Sequence, residues 1–154
     1  MQNHYPPAYS YLWDDDGAWY VATMYNAEKL TEEFQDSRAK FFRIADKNQE
    51  YGFCKVVEGK APTEANESLK YYYFQRIYLA TNAQGKGIGT LIMQQFADVA
   101  RAADYDCMWL EAMEVGKAKA FYERLGYKVT GKIRLPFPGM KDELRGLLTM
   151  ELEL

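Results

Sequence analysis

Hydrophobic positions along this chain change period from segment to segment. The clearest pattern is a 3.6-residue stripe. Ile88, Leu91, Ile92, Phe96 and Val99 (with Ala100) share one side of a predicted helix from Ile88 to Ala102. Upstream, Leu69–Ala80 is a continuous aromatic and β-branched run that includes Tyr71, Tyr73 and Tyr78, and it predicts a central strand. Ala39–Asp46 and Glu50–Glu58 flank the turn residues Asp46-Lys47-Asn48-Gln49 and predict a hairpin. Cys107–Ala112 predicts a short buried strand, and Lys117–Leu125 a short helix with Gly126 where a left-handed C-cap favours glycine. Tyr127–Leu135 and Leu144–Leu152 predict two closing strands around a loop holding Pro136, Pro138 and Gly139.

The N-terminal pattern is less regular. Tyr9–Trp13 reads as a strand or an irregular start. Asp14–Asp16 offer caps for a short helix reaching Tyr25, with Trp19, Ala22 and Tyr25 on one side. Asn26 caps a second helix carrying Leu30 and Phe34, and Gly59–Ser68 reads as a loop. No repeat or linker breaks the chain, so residues 1–154 are expected to form one mixed α/β domain.

Composition narrows the chemistry. Hydrophobic residues make up 48% and charged residues 27%, which fits a globular chain with a proper core. A net charge of −3 argues against a nucleic-acid partner. No apolar run is long enough to span a membrane, and Asp14–Asp16 spoil any secretory leader, so a cytoplasmic location is expected. Cys54 and Cys107 lie in apolar runs and read as buried, reduced thiols, with a disulfide as the alternative. His4 is the only histidine, which removes most zinc sites and every Ser-His-Asp or Cys-His arrangement. No metal is expected. Catalysis would fall to carboxylates, tyrosine and backbone groups.

Between the long strand and the striped helix lie Gln84, Gly85, Lys86, Gly87, Ile88, Gly89 and Thr90. Glycines at alternate positions leave successive N–H groups unobstructed and permit positive φ. The helix that follows adds its own unpaired N–H groups and the positive end of its dipole. Between Gly85 and Asp98 there is no acidic residue, although a first helical turn favours one, so an external anion is the natural replacement. Neither the Walker loop nor the dinucleotide fingerprint fits these spacings. Gln84-x-x-Gly87-x-Gly89 resembles the pyrophosphate loop of the GNAT acetyltransferase superfamily. Further on, Ala120-Phe-Tyr-Glu-Arg-Leu-Gly-Tyr127, preceded by Trp109-Leu-Glu-Ala112, is similar to a second motif of the same superfamily in the same order. The run Leu30–Gln35, the Arg76-Ile77-Tyr78 strand and Leu148–Leu152 look like polyamine-type, PaiA-like members.

The resemblance implies a GNAT fold, with a mostly antiparallel twisted sheet of roughly six strands flanked by helices and a V-shaped opening beside the Cys107–Ala112 strand. It implies acetyl-CoA as cofactor and a small-molecule amine or peptide as acceptor. The backbone of Ile77, Tyr78 and Leu79 would pair with the pantetheine arm, and Gln84–Thr90 would hold the pyrophosphate. Lys117 and Phe121 would line the same site. Tyr122 would protonate the departing thiolate, a feasible role for a phenol with pKa near about 10.

The chain departs from the family pattern in three places. The family's central-strand glutamate falls at Gln75, which cannot take a proton, so Glu111 is the expected general base, with Glu114 behind it or a water relay to bulk solvent instead. Gln75 also fits a protein that binds acyl-CoA without turning it over, or an interaction domain. Val115 and Gly116 stand where the family has an asparagine, so that one cofactor hydrogen bond is either lost or supplied by Glu114. The strand and helix that usually precede Asp14 are abbreviated: Tyr9–Trp13 is a remnant, another chain completes the edge as a homodimer, or the sequence is shortened. At the acceptor end, Trp13, Asp14–Asp16, Trp19 and Tyr20 combine aromatic faces with carboxylates, which suits a polyamine or other small amine by charge and cation–π contact, or simply a capped helix with core aromatics.

Overall fold

The computed structural model describes residues 9–154. Among the described residues lie six strands and four α-helices: α1 (Ala18–Met24), α2 (Ala27–Gln35), β1 (Ala39–Ala45), β2 (Glu50–Glu58), β3 (Tyr71–Leu79), α3 (Ile88–Ala102), β4 (Cys107–Met113), α4 (Ala118–Arg124), β5 (Lys128–Arg134) and β6 (Gly146–Glu153). One sheet runs in the order β1-β2-β3-β4-β6-β5. Every pairing is antiparallel except that of β3 with β4. The expected architecture is therefore present, and each expected strand and the striped helix lie within a few residues of their predicted bounds.

Local chemistry sets the elements. Asp46 turns the β1–β2 hairpin by accepting from the amides of Asn48 and Gln49, while the Tyr51 hydroxyl donates to its other oxygen at 2.6 Å. Asn26 caps α2 through the Lys29 amide at 2.8 Å. Asp15 serves α1 from outside the helix, taking the amides of Gly17 and Trp19, while Gly17 holds the N-cap position in a left-handed conformation. Tyr9–Trp13 forms no sheet strand. It contains a 3₁₀ turn over Ser10–Leu12 and a single antiparallel bridge from Trp13 to Met140.

The main core lies between the sheet and α3, with Val56, Phe74, Met93, Met108, Leu110 and Met150 almost fully buried. The stripe on α3 packs against this core at Ile88, Ile92, Phe96 and Ala100 but is corrected at two positions. Met93, Ala97 and Ala100 form its buried line, whereas Leu91 and Val99 are each 54% exposed. At 100° per residue, Leu91 stands nearly opposite Met93, and small alanines let the helix sit close to the sheet. On α2, Phe34 is 67% exposed and stacks beside Phe41 instead of entering the core. A separate aromatic cluster built on Leu12, Trp13 and Met140 covers the far end of the other sheet face. Both cysteines are free and buried. Among the described residues, no helix is long and apolar enough to cross a membrane. His4 lies outside the described residues.

Candidate active site

The site begins where the sheet comes apart. β3 and β4 pair only from Tyr71↔Cys107 to Tyr73↔Trp109, although β3 continues to Leu79 and β4 to Met113. The cause is visible in the register between β2 and β3: Lys55 faces Arg76 and Val56 faces Phe74, so Gln75 is an extra residue. Such a bulge bends its strand. Beyond it, Ile77, Tyr78 and Leu79 stay paired to β2 on one edge and carry open backbone groups on the edge facing β4. This is the V-shaped opening.

At the mouth of the opening, β3 passes through a 3₁₀ turn (Thr81–Ala83) into α3. Gly85 and Gly87 have φ of +72° and +77°, and a Cβ at either would meet nothing within 4 Å. What glycine supplies at these two positions is the left-handed backbone. Among the described residues, no carbonyl or side chain accepts a hydrogen bond of normal geometry from any amide of Gly85 to Thr90. Six donors in sequence, at the start of a 15-residue helix with no acidic residue in its first turn, are chemically suited to an anion. The Gln84 side chain ties the turn back to the Leu79 carbonyl at 3.3 Å.

These amides border a groove of about 790 Å³. Its walls take in the predicted residues Ile77, Tyr78, Leu79, Gln84, Gly85 and Gly87, then Ile88, Gly89, Thr90, Lys117, Phe121 and Tyr122. Lys86 belongs to the same turn but does not line the groove. Glu114 is not there either: it pairs with Lys132 at 2.6 Å and packs against Gly146, on the β5–β6 side. The expected cofactor contact from Glu114 is therefore replaced by a surface ion pair. Arg124 lines the groove although sequence reasoning missed it. Its signal was available, since Lys117 and Arg124 are seven residues apart and share a helical face.

Tyr122 is buried, packing its ring against Phe121 and Tyr127. Burial, with Tyr9 nearby, pushes its phenol well above the ordinary value, so it holds its proton at neutral pH. Gly126, at φ +95°, ends α4, and the Tyr127 amide returns to the Tyr122 carbonyl at 3.1 Å.

Glu111 reaches the gap from the opposite face of the sheet. Alternation along β4 puts Glu111 on the side of Trp109, while Leu110 and Ala112 join the core beside Tyr122. The Tyr73 hydroxyl donates to Glu111 Oε2. Tyr73 stacks on Trp109 at 3.9 Å, and Trp109 Nε1 donates to the Lys60 carbonyl at 2.6 Å. Burial and the neighbouring carboxylate push the Tyr73 phenol upward, which keeps it a donor.

A second cavity, of about 320 Å³, adjoins this face and shares Tyr9 and Tyr78 with the groove. Gln75, Arg76 and Glu111 are its polar wall. Gln75 Oε1 is buried with no hydrogen-bond partner among the described residues. Arg76 donates twice to Glu33, at 2.7 and 2.8 Å, and Glu33 also takes Lys55 at 3.0 Å. Trp13 and Tyr20 line the cavity, whereas Asp14–Asp16 are exposed outside it. The predicted N-terminal set is thus divided: the rings of Trp13 and Tyr20 face the cavity, Trp19 packs beside Trp13 and Phe137 without lining it, and Asp15 serves α1.

A family model described as an acetyltransferase (GNAT) domain matches residues 37–129, well over half the chain. No curated protein sequence matches. Solved structures with the same fold include a GNAT family acetyltransferase from Elizabethkingia anophelis with acetyl-CoA bound, at TM-score 0.65 and 13% identity, covering 87% of both chains. The ribosomal-protein-S18-alanine N-acetyltransferase from Escherichia coli superposes at TM-score 0.63 and 19% identity over 83% of this chain and 77% of its own. Spermidine/spermine N-acetyltransferase SpeG from Vibrio cholerae does so at 0.61 and 20% over 82% and 71%. With the glycine turn, the split sheet and the family match together, the chain belongs to the GNAT acetyltransferase family.

Proposed function

We propose that the protein transfers an acetyl group from acetyl-CoA to a primary amine by direct attack. The observation that carries this reading is the run of amides from Gly85 to Thr90, unpartnered among the described residues, on a groove that leads past Tyr122 to the gap between β3 and β4. The residues fit the cofactor. Six amides with Lys117 and Arg124 suit a pyrophosphate, and the open edge of Ile77–Leu79 suits the amides of a pantetheine arm.

Acetyl-CoA supplies an activated thioester. A primary amine with pKa of about 10.4 is free base in only about one molecule per few thousand at pH 7, so deprotonation matters. Glu111, with Oε2 held by Tyr73, offers its other oxygen to the ammonium proton. The amine nitrogen then bonds the carbonyl carbon, the carbon–sulfur bond breaks, and Tyr122 on the opposite face gives its proton to the departing sulfur. The products are an amide and free CoA. The amide nitrogen sheds its second proton, Glu111 releases the first and Tyr122 is reprotonated, so one proton in all passes to solvent.

The test is release of CoA thiol from acetyl-CoA in the presence of an amine panel. Amine-dependent release supports the reading, and stabilisation by CoA without release from any amine would leave a binding protein instead.

A further inference from the structure

The cavity on the Glu111 face says what sort of amine fits, given the transfer reading above. Among the described residues, its charged groups are one carboxylate, Glu111, and one guanidinium, Arg76. Its phenols (Tyr9, Tyr20, Tyr73 and Tyr78) are all pushed upward by burial, so none contributes negative charge near neutral pH. Arg76 belongs to a cluster in which two cations, Lys55 and Arg76, share the single carboxylate of Glu33, leaving one net positive charge behind the wall. One ammonium can therefore be compensated, at Glu111. Further ammonium groups on the same molecule would be pressed toward Arg76.

The remainder of the wall is apolar and aromatic. Trp13 stacks near Phe137 at 6.1 Å, Tyr20 stands edge-on to Phe137 at 5.7 Å, and Met24, Met113 and Met140 join several aliphatic side chains in the lining. Flexible thioethers and ring faces accommodate a flat or aliphatic body. A volume of about 320 Å³ suits a small molecule and is too little for a folded peptide segment. We infer that the acceptor is a primary monoamine with an aromatic or apolar body, its ammonium at Glu111 and its body among Trp13, Tyr20 and Phe137.

The experiment follows acetyl-CoA thiol release with phenethylamine, tryptamine and hexylamine against spermidine and a lysine-containing tripeptide, with CoA-induced thermal stabilisation measured on the same samples. The expected kcat/KM for phenethylamine exceeds that for spermidine by at least about tenfold. Equal or better use of spermidine or the tripeptide overturns the inference while leaving acetyl transfer in place. CoA binding without thiol release from any amine overturns the inference and the transfer reading together, and absence of CoA binding removes the cradle beneath both. A second arm uses Phe137→Ala, a half-buried ring in the loop between β5 and β6. KM for phenethylamine should rise about tenfold with KM for acetyl-CoA unchanged. An unchanged KM for phenethylamine overturns the placement of the body.

Discussion

Gly87→Asp isolates the anion cradle because a matched control exists elsewhere in the chain. Gly87 has φ +77° and Gly59 has φ +66°, and at both a Cβ would meet nothing within 4 Å. The same substitution at either site therefore carries the same kind of cost, the left-handed backbone, of roughly 1–2 kcal/mol. For a chain of this size that lowers Tm by about 2–8 °C in each variant. The variants part company on ligand binding. A carboxylate at Gly87 stands among the amides proposed to face the pyrophosphate. At about 4 Å, each phosphate charge repels it by roughly 1 kcal/mol in water and about 4 at the effective dielectric of a protein surface. Two phosphates then weaken CoA by at least about tenfold. Wild type at a CoA concentration of about 100 Kd gains about 2.7 kcal/mol, or roughly 5–10 °C. Differential scanning fluorimetry should show that full shift for Gly59→Asp and about half or less for Gly87→Asp. Equal shifts in the two variants would refute the cradle.

Tyr122→Phe should lower kcat by at least about tenfold with KM for acetyl-CoA nearly unchanged, measured by thiol release. Glu111→Gln should cost about 10²–10⁴ in kcat/KM at neutral pH, and the deficit should shrink as pH rises toward the amine pKa of about 10.4, where free base no longer needs a catalyst. A pH-independent deficit would assign Glu111 a structural role. Glu33→Gln strands Lys55 and Arg76 without a counter-ion, which should cost about 3 kcal/mol of stability in denaturant melts. Burial alone would raise the Glu33 carboxyl, but Arg76 and Lys55 hold it below its ordinary value. Its stabilisation is thus complete above about pH 4.3 and lost as pH falls through the lowered folded-state value, so the variant should flatten the acid limb of the stability curve. Cys54 and Cys107 are buried with thiols pushed up to about 12, so native protein should resist maleimide labelling that proceeds readily after unfolding.

What could be read from the sequence was whatever depends on neighbours in the chain. Ile88–Ala102, Gly126 and the Asn26 cap follow from local periodicity and turn chemistry, and the glycines of the cradle stood out for the same reason. Long-range facts were hidden. Glu33 and Arg76 are 43 positions apart, and only the folded sheet brings them together. The bulge at Gln75 has no compositional mark, yet it opens the site. Glu114 was expected at the cofactor because it stands beside the family's asparagine position before α4, but β6 and Lys132 draw it to the other side. Leu91 and Val99 misled because the packing line of α3 runs through alanines, which hydrophobicity alone ranks below leucine and valine.

The most direct measurement is an amide NMR titration with two ligands, CoA and pantetheine, the second lacking the diphosphate. Resonances of Gly85, Gly87 and Gly89 should move strongly with CoA and hardly at all with pantetheine, while those of Ile77 and Leu79 respond to both. Binding of CoA with the three glycine amides unmoved would contradict the account.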